Sequence, residues 1–156
     1  MADDLYAAME AGGTKVICAV AGADGAVLAQ ARIATSAPDD TFAAIADFFH
    51  EQRAALGPIT AGGIGSFGPL DLDPRSPGCG SLTGTPKPGW SSVNMLARFT
   101  AIIGAPAGID TDVNCAALAE ARCGAARGLD RLCYVTIGTG IGVGIVEDGR
   151  TNAGTA

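Results

Sequence analysis

Basic charge is in short supply in this sequence: 10 Lys and Arg stand against 16 Asp and Glu, a formal net charge of −6 over 156 residues. Such a chain is a poor ligand for nucleic acid, whose nonspecific affinity comes from Lys and Arg neutralising phosphates. One local site for a small anion is not excluded by it. Long apolar runs are missing too. None approaches the ~20 residues of a membrane-spanning helix, and the opening "MADDLYAAME" is acidic where a secretory leader would be basic. The five cysteines, Cys18, Cys79, Cys115, Cys123 and Cys133, contain no C-x-x-C pair, and with the single His50 they make no zinc spacing. They read as buried thiols in a reducing compartment. These absences describe a soluble, cytoplasmic chain with neither nucleic acid nor membrane among its partners.

What is present suffices for a packed core: 48% of residues are apolar, in a length that fits one ordinary domain or a piece of something larger. The 23 glycines and 8 prolines follow no collagen period and mark turns and close backbone approaches. Residues 5–10 are short and apolar, residues 16–20 ("VICAV") and 26–34 read as strands, and "AGGTK" and "GADG" turn the chain between them. The expectation is a three-stranded antiparallel meander. A helix start follows at Ser36, Pro38 and Asp39, in the manner of a capping box, and Phe42, Ile45, Phe49 and Leu56 fall near one face of that helix. His50 lies within it as a surface or structural residue. After a strand over 59–64, residues 65–90 form one long loop rich in Gly, Pro, Ser and Thr, and loops of that length are usually functional or disordered. Its Phe67, Leu70, Leu72, Leu82 and Trp90 favour order. A helix over 91–103, a strand over 107–110 and a helix over 112–126 follow. Strands over 132–137 and 141–146 then make a new hairpin that bends at "GTG", and Asp148-Gly149 closes another turn.

That last hairpin carries "TIGTGIGVG" (residues 136–144), which looks like a phosphate loop yet lacks what either familiar one requires. No Lys followed by Ser or Thr comes after its glycines, and no register of it reads G-x-G-x-x-G. Its glycines suit a tight β-turn and one bare face of the outgoing strand, since Gly140, Gly142 and Gly144 point the same way. A face without side chains admits a phosphate, or another backbone at a crowded crossing. The turn at "GGTK" is built alike. Backbone amides at both turns can form small anion nests, with the Thr14 hydroxyl and Lys15 ammonium added at the first and the Thr139 hydroxyl at the second. Two such turns suggest opposed lobes with a polyphosphate between them. Asp112 sits where a strand gives way to a helix, at the mouth of an α/β sheet. A helix N-terminus favours the ionised carboxylate, which could then accept a hydroxyl proton; the bland alternative for Asp112 is a plain N-cap.

The segments "EAGGTK" (10–15), "GIGSFGPLDLD" (63–73), "TPKPGW" (85–90), "TDVNCAALAE" (111–120) and "TIGTGIGVG" occur in an order and spacing that resemble the fructokinase-type sugar kinases of the ROK family (repressors, open reading frames and kinases). The resemblance covers nearly the whole chain. It implies the α/β fold of actin-like ATPases, with a ribonuclease H-like βββαβα unit in each lobe. Residues 1–127 would form the N-terminal lobe with the sugar-binding loop, and 128–156 the first hairpin of the second, nucleotide-binding lobe. The implied activity is ATP-dependent phosphorylation of a hexose, fructose to fructose 6-phosphate being favoured, with ATP and Mg2+ as cofactors. By the same resemblance Asp112 matches the catalytic base, Gly12, Gly13, Thr14 and Lys15 the first phosphate motif, and Gly138, Thr139 and Gly140 the second. Glu10 stands where many members have an Asp near the magnesium ion, and its longer carboxylate implies a contact through water. Ser66, Gly68 and Pro69 match a substrate loop. Lys87 and Thr111 join Asp112 in the substrate set; both replace Asn residues found in ROK glucokinases, which points toward the fructokinase-like branch. Trp90 is expected to pack under the loop rather than stack on sugar.

Family members continue with a His-Pro-Glu segment, a zinc site of Cys and His residues and a glycine-rich adenosine-binding part; the zinc ligands are absent from this sequence. The expectation is therefore the N-terminal portion of a longer kinase, inactive or weakly active alone. On physical grounds a hairpin over 132–146, apolar and with no helix left to cover it, is marginal by itself. Its edges invite association, which leaves a homodimer open. Two other functions compete. A sugar-responsive ROK repressor would need a winged helix before "GGTK", and only eleven residues precede Gly12. A non-catalytic sugar-binding fragment would bind sugar without nucleotide.

Overall fold

Alternation builds the first sheet. In a computed structural model describing residues 4–138 and 140–152, β1 (Leu5–Ala11) buries Leu5, Ala7, Met9 and Ala11 and exposes the residues between them. In β2 (Lys15–Gly22) the buried set is Val16, Cys18 and Val20. With β3 (Val27–Ala34) these strands form the antiparallel meander read from the sequence. The strands β4 (Ala61–Ser66) and β5 (Ala107–Thr111) then join in parallel, giving the order β3-β2-β1-β4-β5.

Parallel neighbours need crossovers, and α1 (Pro38–Leu56) and α2 (Met95–Ile103) supply them. Both close over the buried face of the sheet, where Phe42, Ile45 and Phe49 of α1 meet Phe99 and Ile103 of α2. The rings of Phe49 and Phe99 pack edge to face at 5.4 Å. Leu56, expected on that face, is 41% exposed at the end of α1. The cap of α1 also differs from expectation. Ala37 is the N-cap and contributes no side-chain bond; instead the Thr41 hydroxyl reaches back to accept the Ser36 N–H, one residue before the cap, at 3.0 Å. In α2 the helix starts at Met95 rather than near 91, because Asn94 caps it by accepting the Ala97 N–H at 2.7 Å.

The long loop is ordered by its apolar residues. Leu70 bridges to Leu82, and Leu82 and Trp90 are fully buried. Trp90 packs between Phe42 and Phe67 and donates its indole N–H to the Ser36 carbonyl at 2.9 Å. It lies under the loop, as the sequence suggested.

The helix α3 (Asp112–Cys123) lies on the other face of the sheet and is shared with a second one, ordered β6-β7-β8. There β6 (Arg131–Ile137), β7 (Ile141–Glu147) and the short β8 (Arg150–Thr151) run antiparallel. The expectation of an uncovered hairpin is thereby corrected: Val113 of α3 packs against Gly142 and Gly144, and Val146 is buried. The opposite face, with Val135, Ile137, Ile141, Val143 and Ile145, is exposed. The expected lobe boundary at 127/128 falls between α3 and β6. Among the described residues no helix is long and apolar enough to cross a membrane. All five cysteines are free, and Cys18 alone is fully buried; Cys123 and Cys133 are exposed, contrary to expectation.

Candidate active site

The C-terminal ends of β1, β4 and β5 lie side by side, and the first turn of α3 comes over them. Ile17, Glu10, Gly65 and Asp110 are successive neighbours across the strands, and alternation puts them on the face turned away from the α1/α2 core. Adjacent strands are ~4.8 Å apart, so Glu10 and Asp110 flank a gap floored by Gly65. A side chain there would crowd the helix: a Cβ on Gly65 would stand 3.2 Å from the Cys115 Cβ, a tight approach, and 3.5 Å from the Asp112 Cα, an ordinary contact. Glycine at 65 lets the first turn of α3, Cys115 above all, lie close on the strand ends.

Thr111, not Asp112, is the N-cap of α3, its hydroxyl accepting the Asn114 N–H at 3.2 Å. Asp112 is the first helical residue and is half-buried. Its Oδ1 accepts the Val113 N–H at 2.9 Å, and its Oδ2 takes no donor among the described residues. With the capping duty carried by Thr111, one carboxylate oxygen of Asp112 remains able to accept a proton from a bound hydroxyl.

The first glycine turn is braced on its carbonyl side. The Gly12 N–H closes it on the Lys15 carbonyl at 2.8 Å, and the Thr14 carbonyl accepts the Thr35 N–H at 3.1 Å. The Gly12 carbonyl accepts the Thr35 hydroxyl at 2.8 Å, and the Gly13 carbonyl accepts the Lys87 ammonium at 2.7 Å. The Gly13 and Thr14 amides have no acceptor among the described residues. Lys15 opens β2 opposite Ala34 and makes no ion pair among those residues. Glu10 reaches back toward the turn, its Oε1 3.8 Å from where a Gly12 Cβ would be.

The second bend is open. The Gly138 N–H donates to the Gly140 carbonyl at 2.9 Å, and nothing lies within 4 Å of a Cβ placed on either glycine. Thr139, expected to add its hydroxyl, lies outside the described residues. The glycines that follow have another purpose. A Cβ on Gly144 would overlap the Val113 carbonyl and stand 2.9 Å from the Asn114 nitrogen, and one on Gly142 would be 2.9 Å from Val113 Cγ1. The bare face of β7 thus receives the first turn of α3, which is the backbone crossing rather than a phosphate site. It also locates the bend: Gly140 is two residues, about 7 Å of extended chain, from the point where β7 touches the start of α3. Both bends and Asp112 therefore share one end of the molecule.

The expected substrate set divides. Ser66 is fully buried, its hydroxyl donating to the Phe67 carbonyl at 2.9 Å. The Thr111 hydroxyl is occupied as a cap. Gly68 and Pro69 join through a cis peptide bond, and the Pro69 carbonyl accepts the Thr83 N–H at 2.9 Å. Lys87 reaches the first turn.

Several residues at this end escaped the sequence reading. Asp110 Oδ1 accepts the Thr111 N–H at 2.7 Å and the Asn114 amide at 2.8 Å, while its Oδ2 accepts the Thr151 hydroxyl at 2.7 Å. One carboxylate so ties β5, α3 and β8 together. The alternation Asp110, Asp112, Asn114 was a usable signal for the first part; Thr151, 41 residues from Asp110, offered none. Cys115 beside them is half-buried: burial first, then the charges of Asp110 and Asp112, push its thiol up to about 11. A cavity of about 560 Å³, lined by Glu147, Asp148, Arg150, Thr151 and Asn152, meets the site through Thr151, bonded to Asp110, and through the Asn152 carbonyl, 3.5 Å from the Asn114 amide nitrogen.

Among the described residues no group of three or more His, Cys, Asp and Glu could hold a metal ion. Magnesium asks for less, because it keeps waters and is bound through one or two carboxylates plus substrate phosphates; Glu10 beside the first turn fits that pattern.

An α/β sheet of this order with a small second sheet on a shared helix matches the N-terminal part of ROK kinase structures. The sequence profile of the ROK family matches residues 6–156, and the chain belongs to that family. It is 42% identical to the fructokinase of Zymomonas mobilis, across 97% of this chain and 51% of that protein. The fructokinase of Pediococcus pentosaceus is 39% identical, across 95% and 51%. A ROK family glucokinase from Streptomyces griseus, solved with glucose and AMPPNP, superposes with a TM-score of 0.80 at 28% identity, covering 97% of this chain and 47% of that one. The chain spans about half the length of the curated relatives it matches.

Proposed function

We propose that this chain carries the sugar-side half of an ATP-dependent hexose kinase, with fructose as the favoured acceptor and fructose 6-phosphate as the product. The observation that carries this reading is the placement of Asp112 at the first position of α3, over Gly65, at the end of the molecule shared by both glycine bends. In this reading Asp112 takes the proton from the attacking hydroxyl. The Gly13 and Thr14 amides, with Thr14 and Lys15, receive phosphate at the first bend, and Gly138, Thr139 and Gly140 receive it at the second. Phosphoryl transfer asks mainly for positioning and charge neutralisation, to which the Gly13 and Thr14 amides and the Lys15 ammonium would contribute at the first bend. Magnesium would neutralise phosphate charge when bound, with Glu10 holding it through water. Residues 1–127 form the sugar lobe of this proposal and 128–156 the start of the nucleotide lobe.

Because the relatives use about twice this length, weak turnover is expected from these 156 residues alone. Calorimetry with fructose and with a non-hydrolysable ATP analogue separates the two sites. Fructose binding that Asp112→Ala weakens, together with measurable nucleotide binding, supports a kinase; sugar binding without nucleotide binding favours a binding fragment. In a coupled assay Asp112→Asn should lower whatever phosphotransfer is measured by about 10²–10⁴-fold. Turnover that survives this substitution would remove Asp112 from the role of base.

A further inference from the structure

The Lys87 ammonium crosses from the long loop to the first glycine turn, 74 residues away in sequence, and donates to the Gly13 carbonyl at 2.7 Å. It takes part in no ion pair among the described residues. A charged donor on a neutral backbone carbonyl, far from the segment that carries it, is a directional contact. We propose that Lys87 is a positioning residue that sets the orientation of the phosphate-binding turn and makes it depend on the order of the loop, rather than a ligand of the sugar. This rests on the reading of residues 12–15 as a phosphate turn.

The physical basis is the planarity of the peptide group. In a trans peptide the C=O of one residue and the N–H of the next point in opposite directions. The Gly12 carbonyl is held by the Thr35 hydroxyl and the Gly13 carbonyl by Lys87, so the Gly13 and Thr14 amides are turned the other way. Without Lys87 the Gly13–Thr14 peptide has no hydrogen-bond partner among the described residues to fix its plane, and a Cβ built on Gly13 would meet nothing within 4 Å. Lys87 itself is well anchored. Its carbonyl accepts the Trp90 N–H at 3.2 Å, and buried Trp90 is tied to the Ser36 carbonyl, next to the Thr35 that holds Gly12 and Thr14. Loop and turn thus hang on the same pair of residues, Thr35 and Ser36.

The test uses the ¹⁵N-labelled chain, tripolyphosphate as probe, and the variants Lys87→Met and Lys87→Arg, with thermal midpoints confirming that each folds. Lys87→Met should move the Gly13 and Thr14 amide resonances, leave Gly138 in place, and weaken tripolyphosphate binding by about tenfold. Lys87→Arg, which keeps charge and donor, should bring both amides back toward their original positions. If Lys87→Met leaves the Thr14 amide unmoved, the proposal is overturned, even where affinity falls, because the ammonium then acts on the anion directly. Failure of Lys87→Arg to restore the amides also overturns it. If the unaltered chain does not bind tripolyphosphate while Lys87→Met still moves Thr14, the positioning role stands and the phosphate reading of the turn fails.

Discussion

In the five-stranded sheet both faces are in use: α1 and α2 close over Met9, Val16 and Ile64, and α3 descends onto Gly65. In the three-stranded sheet only one face is covered, by that same α3, while Val135, Ile137, Ile141, Val143 and Ile145 are exposed on the other. The contrast separates two uses of glycine as well. Gly65, Gly142 and Gly144 are bare because a helix needs the space. Gly138 and Gly140 are bare with nothing near them. The first group is explained by packing alone, whereas the open pair leaves room for a ligand.

The largest effect should come from the fully enclosed side. Phe49 is completely buried among the rings of Phe48 and Phe99, so Phe49→Ala should cost about 3–5 kcal/mol, read as a lower urea midpoint. A value below about 1 kcal/mol would mean that this core relaxes far more than its packing implies. Next in size is the seam between the sheets. Gly144→Val would force β7 away from the Val113 carbonyl, with a loss of about 3 kcal/mol. Gly140→Ala, placed in open space, should leave the urea midpoint almost unchanged. Equal losses at both glycines would erase the distinction between packing glycines and open ones.

That distinction was only half legible in the sequence. The alternating run of glycines showed that something comes close to β7, but a helix backbone and a phosphate leave the same mark. The helix that decides the matter has a diffuse pattern: α3 serves two sheets with small residues such as Ala117, Cys115 and Val113, so no single apolar stripe announces its second contact. The meander was readable because β1 and β2 each bury every second residue. Asp112 was readable because a strand ends where a helix begins. Its neighbour Thr111 took the capping role because the hydroxyl reaches the Asn114 amide, a choice between adjacent residues that periodicity does not make. Contacts across the chain, Lys87 with Gly13 and Asp110 with Thr151, depend on how loops return and left no local pattern.

The thiols carry the comparison into pH. Cys18 lies in the enclosed core, where burial pushes it up to about 12 from an ordinary 9.0. A thiol whose folded pKa stands above its unfolded one contributes its stabilisation in full below pH 9 and loses it as pH climbs toward 12, because the unfolded chain then releases a proton the folded chain keeps. Urea midpoints should therefore fall across that window, and Cys18→Ala should flatten the fall even though it lowers stability at neutral pH. Cys133, exposed on β6, should react with a thiol reagent in the folded chain long before Cys18 does. Comparable rates would place Cys18 outside a closed core.

Among the apolar side chains, the smallest effect on stability belongs to the bare face. Val135 pairs with Val143 and Ile137 with Ile141 across β6 and β7, with Val143 49% and Ile137 79% exposed. With these side chains about half or more exposed, Val143→Ser or Ile137→Ser should remove no more than a cross-strand pair, about 1 kcal/mol at most. The same substitutions should reduce binding of a hydrophobic dye and light scattering at high concentration, since contiguous exposed apolar surface drives association. A stability loss as large as that of Phe49→Ala would show that this face is already covered in solution, and dependence of the loss on protein concentration would identify a second copy as the cover.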